Sequence, residues 1–105
     1  ADVLEELTHA RILARRIKTI GGTVPGSTEF KAVQKSLQPQ TDTTDVVSVI
    51  KGVIDAENSA VEQYNKLIKL CDGVDYVTQD VCIQSLGDEE EHRRAFIGFL
   101  TEYEQ

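Results

Sequence analysis

Apolar residues recur along this chain at the three-and-four spacing of amphipathic helices, in three blocks separated by glycine-containing breaks. The first block runs through Val3, Glu6, His9, Ala10, Leu13, Ile17 and Ile20 and stops at Gly21-Gly22. Arg11, Arg15 and Lys18 fall on its opposite face and read as solvated surface. Residues 22–43 hold both prolines and much of the polar stretch Gln38-Pro-Gln-Thr-Asp-Thr-Thr44. They predict a connection with one short helix around Glu29–Ser36. A second long helix is expected from about Thr44 to Leu70, capped by Thr44 or a neighbour and ended at Asp72-Gly73. Its inward stripe reads Val46, Ile50, Val53, Glu57, Val61, Tyr64, Ile68 and Cys71. A third should take Asp75 as its N-cap and run to about Glu104, with the stripe Cys82, Leu86, Glu89, His92, Phe96, Phe99 and Tyr103. The pattern predicts an all-α chain of three long helices with one long crossover.

Each apolar stripe is interrupted by a residue that a core normally rejects. Glu6 and His9 stand in the first, Glu57 in the second, and Glu89 and His92 in the third. Carboxylates enter a core when they are paired or bind a metal, so the interruptions need a cause. Both histidines of the chain carry a glutamate three residues upstream. With ten glutamates in 105 residues, chance produces that double coincidence about once in a hundred such chains. Positions i and i+3 share a helix face one turn apart, so one Glu-x-x-His can hold one metal ion. Two such motifs on neighbouring helices, with a glutamate from each remaining helix, make a carboxylate-bridged two-metal site in a four-helix bundle. Glu6, His9, Glu57, Glu89 and His92 are therefore the candidate metal ligands and reaction centre. Tyr64, two turns beyond Glu57 on the same face, reads as core packing.

Helical rise puts these residues at one level. Glu6 lies 14 residues before Ile20, Glu57 lies 14 before Cys71, and Glu89 lies 14 after Asp75. Each glutamate then sits about 21 Å from the same end of a bundle. This requires a hairpin of the second and third helices, and a first helix parallel to the second. The connection, at about 65 Å of reach, is long enough for that crossover. The same counting leaves only five residues before Glu6, against 13 to 15 beyond the other two glutamates. A fourth helix and a fourth glutamate are lacking. The chain is expected to be a single domain over 1–105 comprising the C-terminal three helices of a four-helix bundle, with the first helix and the start of the second absent. The missing part would come from the parent chain or another chain, as a cover for the open groove.

Composition narrows the setting. The net charge of −7 disfavours nucleic acid, since phosphate contacts need clustered Lys and Arg. No apolar run is long enough for a membrane span and no signal-peptide pattern opens the chain, so the expectation is cytoplasmic. Cys71 and Cys82 lack the Cys-x-x-Cys pairing of a zinc knuckle or rubredoxin-type site and read as thiols in a reducing compartment. Their axial offset of about 10 Å argues against a bond between them. No methionine is present, even at position 1, which implies processing, trimming or excision.

These residues resemble the ferritin-like superfamily, and within it bacterioferritin and its relatives. The likeness runs from Glu5-Glu-Leu-Thr-His-Ala10 and Gly-Gly-x-x-Pro through Glu57 and Asp75-Tyr-Val-Thr-Gln-Asp80 to Asp88-Glu-Glu-Glu-His92. The resemblance implies that Glu6 and Glu89 bridge two irons, that His9 and His92 bind one each, and that Glu57 is terminal on the His92 iron. Glu5 and Asp88 match positions whose carboxylates could hold the histidine ring nitrogens. Bacterioferritins bind haem between subunits through a methionine where this chain has Leu7, so no bis-Met haem is expected. Ala60 stands where rubrerythrin-like proteins carry a further glutamate.

Hard carboxylates and two imidazoles suit a di-iron centre. The resemblance implies a ferroxidase that oxidises Fe(II) with O2 or peroxide, coupled to iron storage or detoxification in a homo-oligomer. Two other classes use the same residues: a di-metal peroxidase, catalase or oxidase, and a non-enzymatic metal-binding helical bundle. A mineral core favours storage, peroxide turnover without iron accumulation favours the second class, and failure to bind divalent metal leaves the third.

Overall fold

The structure is a computed structural model that describes residues 3–33, 38, 41, 42 and 44–104. Among these residues lie three α-helices, α1 (Val3–Thr19), α2 (Val46–Cys71) and α3 (Tyr76–Glu104), and a 3-10 turn at Ser27–Glu29. The chain forms two compact units, the first ending at Val33.

In the first unit, α1 opens with Glu5 and Glu6 in its first turn and closes with Arg16 and Lys18 in its last, charges that complement the helix dipole. Gly21 takes φ +91, and its N–H donates to the Lys18 carbonyl at 3.1 Å while the Gly22 N–H donates to Ile17 at 2.8 Å. That pair of bonds is a Schellman stop, which needs a residue free to adopt a left-handed conformation. Arg11, Arg15 and Lys18 are exposed as expected. Of the inward stripe, His9 is buried and Leu13 and Ile17 are half-buried, whereas Val3, Glu6, Ala10 and Ile20 are exposed.

The helix expected around Glu29–Ser36 is corrected. Among the described residues of this stretch, one 3-10 turn forms between extended Gly26 and extended Phe30, and Phe30–Val33 are non-helical. Residues 34–36 of that expectation lie outside the described residues. Phe30 and Val33 are 74% and 78% exposed, so no burial offsets the cost of nucleating an isolated helix.

The second unit is an α2–α3 hairpin. The cap of α2 is Asp45, the neighbour of Thr44: its carboxylate accepts from the Ser48 N–H at 3.0 Å and the Ser48 hydroxyl at 2.7 Å. The Ser48 hydroxyl, then its amide, hold the Asp45 carboxyl below its ordinary range. At the other end, Gly73 at φ +73 reverses the chain, and the N–H groups of Val74 and Asp75 both donate to the Cys71 carbonyl. Asp75 caps α3 as expected, its carboxylate accepting from the amide and hydroxyl of Thr78. Gln79 Nε2 then donates to the Ile68 carbonyl and to Asp72 Oδ1, each at 3.1 Å, tying the two helices at the turn.

The hairpin buries a narrow strip. Ile50, Val61 and Cys82 are its buried apolar residues, flanked by half-buried Val53, Tyr64, Ile68, Leu86 and Phe96. Phe96 and Phe99 meet edge to face at 5.4 Å. Val46, Phe99 and Tyr103 lie on the expected stripes but remain 46–59% exposed. They sit at the end farthest from the turn. No helix among the described residues is long and apolar enough to cross a membrane.

Candidate metal centre

A helix fixes the relative placement of residues three apart without help from tertiary packing. In α1 this brings Glu6 Oε2 to 4.0 Å from His9 Nδ1, with the imidazole buried and the carboxylate about half exposed. In α3 the same spacing brings Glu89 Oε2 to 3.7 Å from His92 Nδ1, and here both side chains are withdrawn from water, at 5% and 11% exposure. Each motif thus presents one carboxylate and one imidazole on a single helical face.

Glu57 is the remaining candidate donor of the hairpin. It is buried in the middle of α2, and its Oε2 has no hydrogen-bond partner among the described residues. Leaving a buried acceptor unsatisfied costs about 1–3 kcal/mol, and more for a charged group. Counting along the hairpin puts it level with Glu89: Glu57 lies 14 residues before the end of α2, and Glu89 lies 14 after the cap of α3. Two buried carboxylates and an imidazole at one level form an arrangement that a divalent cation would satisfy and an apolar core would not. Glu5 and Asp88, next to the motif glutamates in sequence, are half-buried. Leu7 is 59% exposed.

Two features of the hairpin escaped the sequence reading. Ser85 is only 3% exposed, and it continues the line of Cys82, Glu89 and His92 at helical spacing, a phase that could have revealed it. Asn58 and Arg93 meet across the hairpin, with Arg93 Nη1 donating to Asn58 Oδ1 at 3.4 Å. Nothing in the local pattern pairs residues 35 positions apart.

Away from the carboxylates, Cys82 is buried and Cys71 half-buried, and both are free thiols. Burial, followed by the neighbouring Cys71, pushes the Cys82 thiol above its ordinary value.

An all-α chain with duplicated Glu-x-x-His faces and a long connection between its first two long helices has the fold class of a ferritin-like bundle, with three long helices present here. The chain belongs to the ferritin family: it matches the ferritin-like domain over residues 1–105. It is 39% identical over 91 residues to the bacterial ferritin of Neisseria meningitidis serogroup B (strain ATCC BAA-335 / MC58), covering 86% of this chain and 53% of the relative. The bacterial ferritin of Neisseria gonorrhoeae gives the same figures. That of Neisseria meningitidis serogroup A / serotype 4A (strain DSM 15465 / Z2491) is 38% identical over 91 residues, with the same coverage. The chain spans about half the length of the curated relatives it matches. No solved structure matches it.

Proposed function

We propose that this protein is a ferroxidase of bacterioferritin type, which oxidises Fe(II) with O2 or peroxide and stores or detoxifies the product as a cytoplasmic homo-oligomer. The observation that supports it best is that both helices of the α2–α3 hairpin bury a carboxylate, Glu57 and Glu89, and that Glu57 Oε2 lacks a partner among the described residues. The donor set fits iron, since carboxylates and imidazole together accept both Fe(II) and Fe(III). In this reading Glu6 and Glu89 would serve both metal positions, His9 and His92 would each hold one, and Glu57 would serve the His92 side. The reading includes a di-iron pair and no bis-Met haem, because Leu7 has no thioether to offer.

Iron held by these residues would supply the one-electron redox chemistry. The protein's own contribution is placement and charge. Glu57, Glu89 and Glu6 offset the charge of incoming cations. Glu5 and Asp88 would hold the histidine rings by their second nitrogens, keeping the metal-facing nitrogen unprotonated.

Anaerobic Fe(II) titration followed by rapid mixing with O2 or peroxide tests the proposal. It expects saturable binding approaching two irons per chain in the intact protein and oxidant-dependent growth of near-ultraviolet ferric absorbance. Absence of saturable Fe(II) binding overturns it. Peroxide turnover without iron retention transfers the site to the peroxidase, catalase or oxidase class.

A further inference from the structure

Glu89 and His92 share a helix, so the peptide backbone alone sets their separation. Glu57 sits on the other helix, and its place relative to them depends on how α2 and α3 are held in register. Among the described residues, the polar contacts between the two helices include those at three places. Gln79 reaches Ile68 and Asp72 at the turn, 11 residues or about 16 Å along α2 from Glu57. Lys51 and Glu104 pair at 3.3 Å near the open end, with both side chains about half exposed. The third is the Arg93–Asn58 hydrogen bond at 3.4 Å, and it joins the residue after His92 to the residue after Glu57.

We propose that the Arg93–Asn58 contact is a positioning clasp for the metal centre, holding α2 against α3 so that Glu57 meets the ion carried by Glu89 and His92. This rests on the metal-site reading given above. At 3.4 Å the bond is long and contributes little stability by itself. Its leverage comes from location. A slip between the helices at this point moves Glu57 directly, whereas along α2 the Ile68 contact lies about three helical turns from Glu57 and Lys51 six residues from it. Among the described residues, Glu57 Oε2 has no hydrogen bond of its own to retain its position.

The alternative role for Arg93 is purely electrostatic, and it carries the opposite sign. A guanidinium beside His92 repels a cation, so an arginine acting only through its charge weakens metal binding, and its removal tightens it. A clasp behaves the other way. Removing either partner loosens binding, and removing both costs no more than removing one.

Co(II) titrated into the full chain, followed by its visible ligand-field absorption, separates these roles and reports coordination directly. The clasp predicts that Arg93→Ala and Asn58→Ala each weaken Co(II) binding by about 3- to 10-fold and shift the absorption bands. It further predicts that the double variant resembles either single one, and that Arg93→Lys restores part of the loss. Lys51→Ala, which breaks the distant pair, should leave affinity and spectrum unchanged, as should far-ultraviolet helicity in every variant. Tighter binding by Arg93→Ala, additive losses in the double variant, or unaltered spectra overturn the clasp while the metal-site reading stands. A wild-type chain that fails to bind Co(II) or Fe(II) overturns both.

Discussion

At the scale of single residues, the two histidines differ in their surroundings although their motifs are the same. His92 shares the α2–α3 hairpin with buried Glu57 and Glu89. His9 shares its helix face with Glu6, a carboxylate about half in water. In the proposed assignment the His92 ion draws Glu57 and Glu89 from the same hairpin, both buried, whereas the His9 ion shares its helix with the half-exposed Glu6. His92→Ala is therefore expected to reduce Fe(II) or Co(II) affinity more than His9→Ala, measured by calorimetric titration of the two variants. Equal losses contradict the ligand assignment. The thiols offer a second residue-scale test. Cys82, buried and with its thiol pushed up by burial, should resist alkylation in the native protein, while half-buried Cys71 reacts. Cys82 lies seven residues below the α3 cap and Cys71 ends α2, an axial offset of about 10 Å that a disulfide does not span. Mass spectrometry after native and denatured labelling should count one modified thiol and then two, without a crosslink. Because the folded pKa of Cys82 is raised, its contribution to stability is complete below the ordinary thiol pKa and declines as pH rises beyond it. Chemical denaturation should accordingly show falling stability in the alkaline range, and Cys82→Ser should flatten that slope.

At the scale of elements, the ends of the helices are settled by a few polar residues and glycines. Asp75 receives both the amide and the hydroxyl of Thr78, so Asp75→Ala removes the cap of α3 and is expected to cost about 1 kcal/mol. Thermal unfolding should fall by roughly 5 °C, and Asp75→Asn should recover most of it. An unchanged midpoint would show that the Gln79 bonds to Ile68 and Asp72 hold the turn without the cap. Asp75 as the cap of α3, and the glycine stops at Gly21 and Gly73, were all legible from sequence, because capping is local chemistry within three or four residues. The short helix expected around Glu29–Ser36 is not formed over Phe30–Val33 for a related reason. Propensity can suggest a turn of helix, but only packing sustains one, and Phe30 and Val33 face water.

At the scale of the whole molecule, the exposed apolar residues predict association. Val3, Leu4 and Leu7 on α1 are 74%, 71% and 59% exposed, and Val77, Ile83, Phe99 and Tyr103 on α3 are 46–59% exposed. Covering a large apolar side chain contributes about 1.5–3 kcal/mol, so several together rival the usual 5–15 kcal/mol stability of a domain. The chain should therefore sediment as an assembly or with a covering partner, and added Fe(II) or Co(II) should raise its unfolding temperature. Analytical ultracentrifugation that finds a compact, cooperatively unfolding, metal-free monomer would refute this.

Helix phase, helix stops and the two Glu-x-x-His faces were readable from the amino-acid sequence alone, since each depends on neighbours within one or two turns of the same chain. That is why Glu89 and His92 face one another as expected, and why Ile50, Glu57 and Val61 lie buried on one stripe. What periodicity cannot encode is which part of a stripe finds a partner. Val46, Phe99 and Tyr103 have the right phase and still face solvent, because burial depends on the opposing surface. Only the folded hairpin joined Asn58 to Arg93 across 35 positions and withdrew Ser85 from water. It alone left Glu57 Oε2 without a partner among the described residues, for these are distances between helices, set by packing and register.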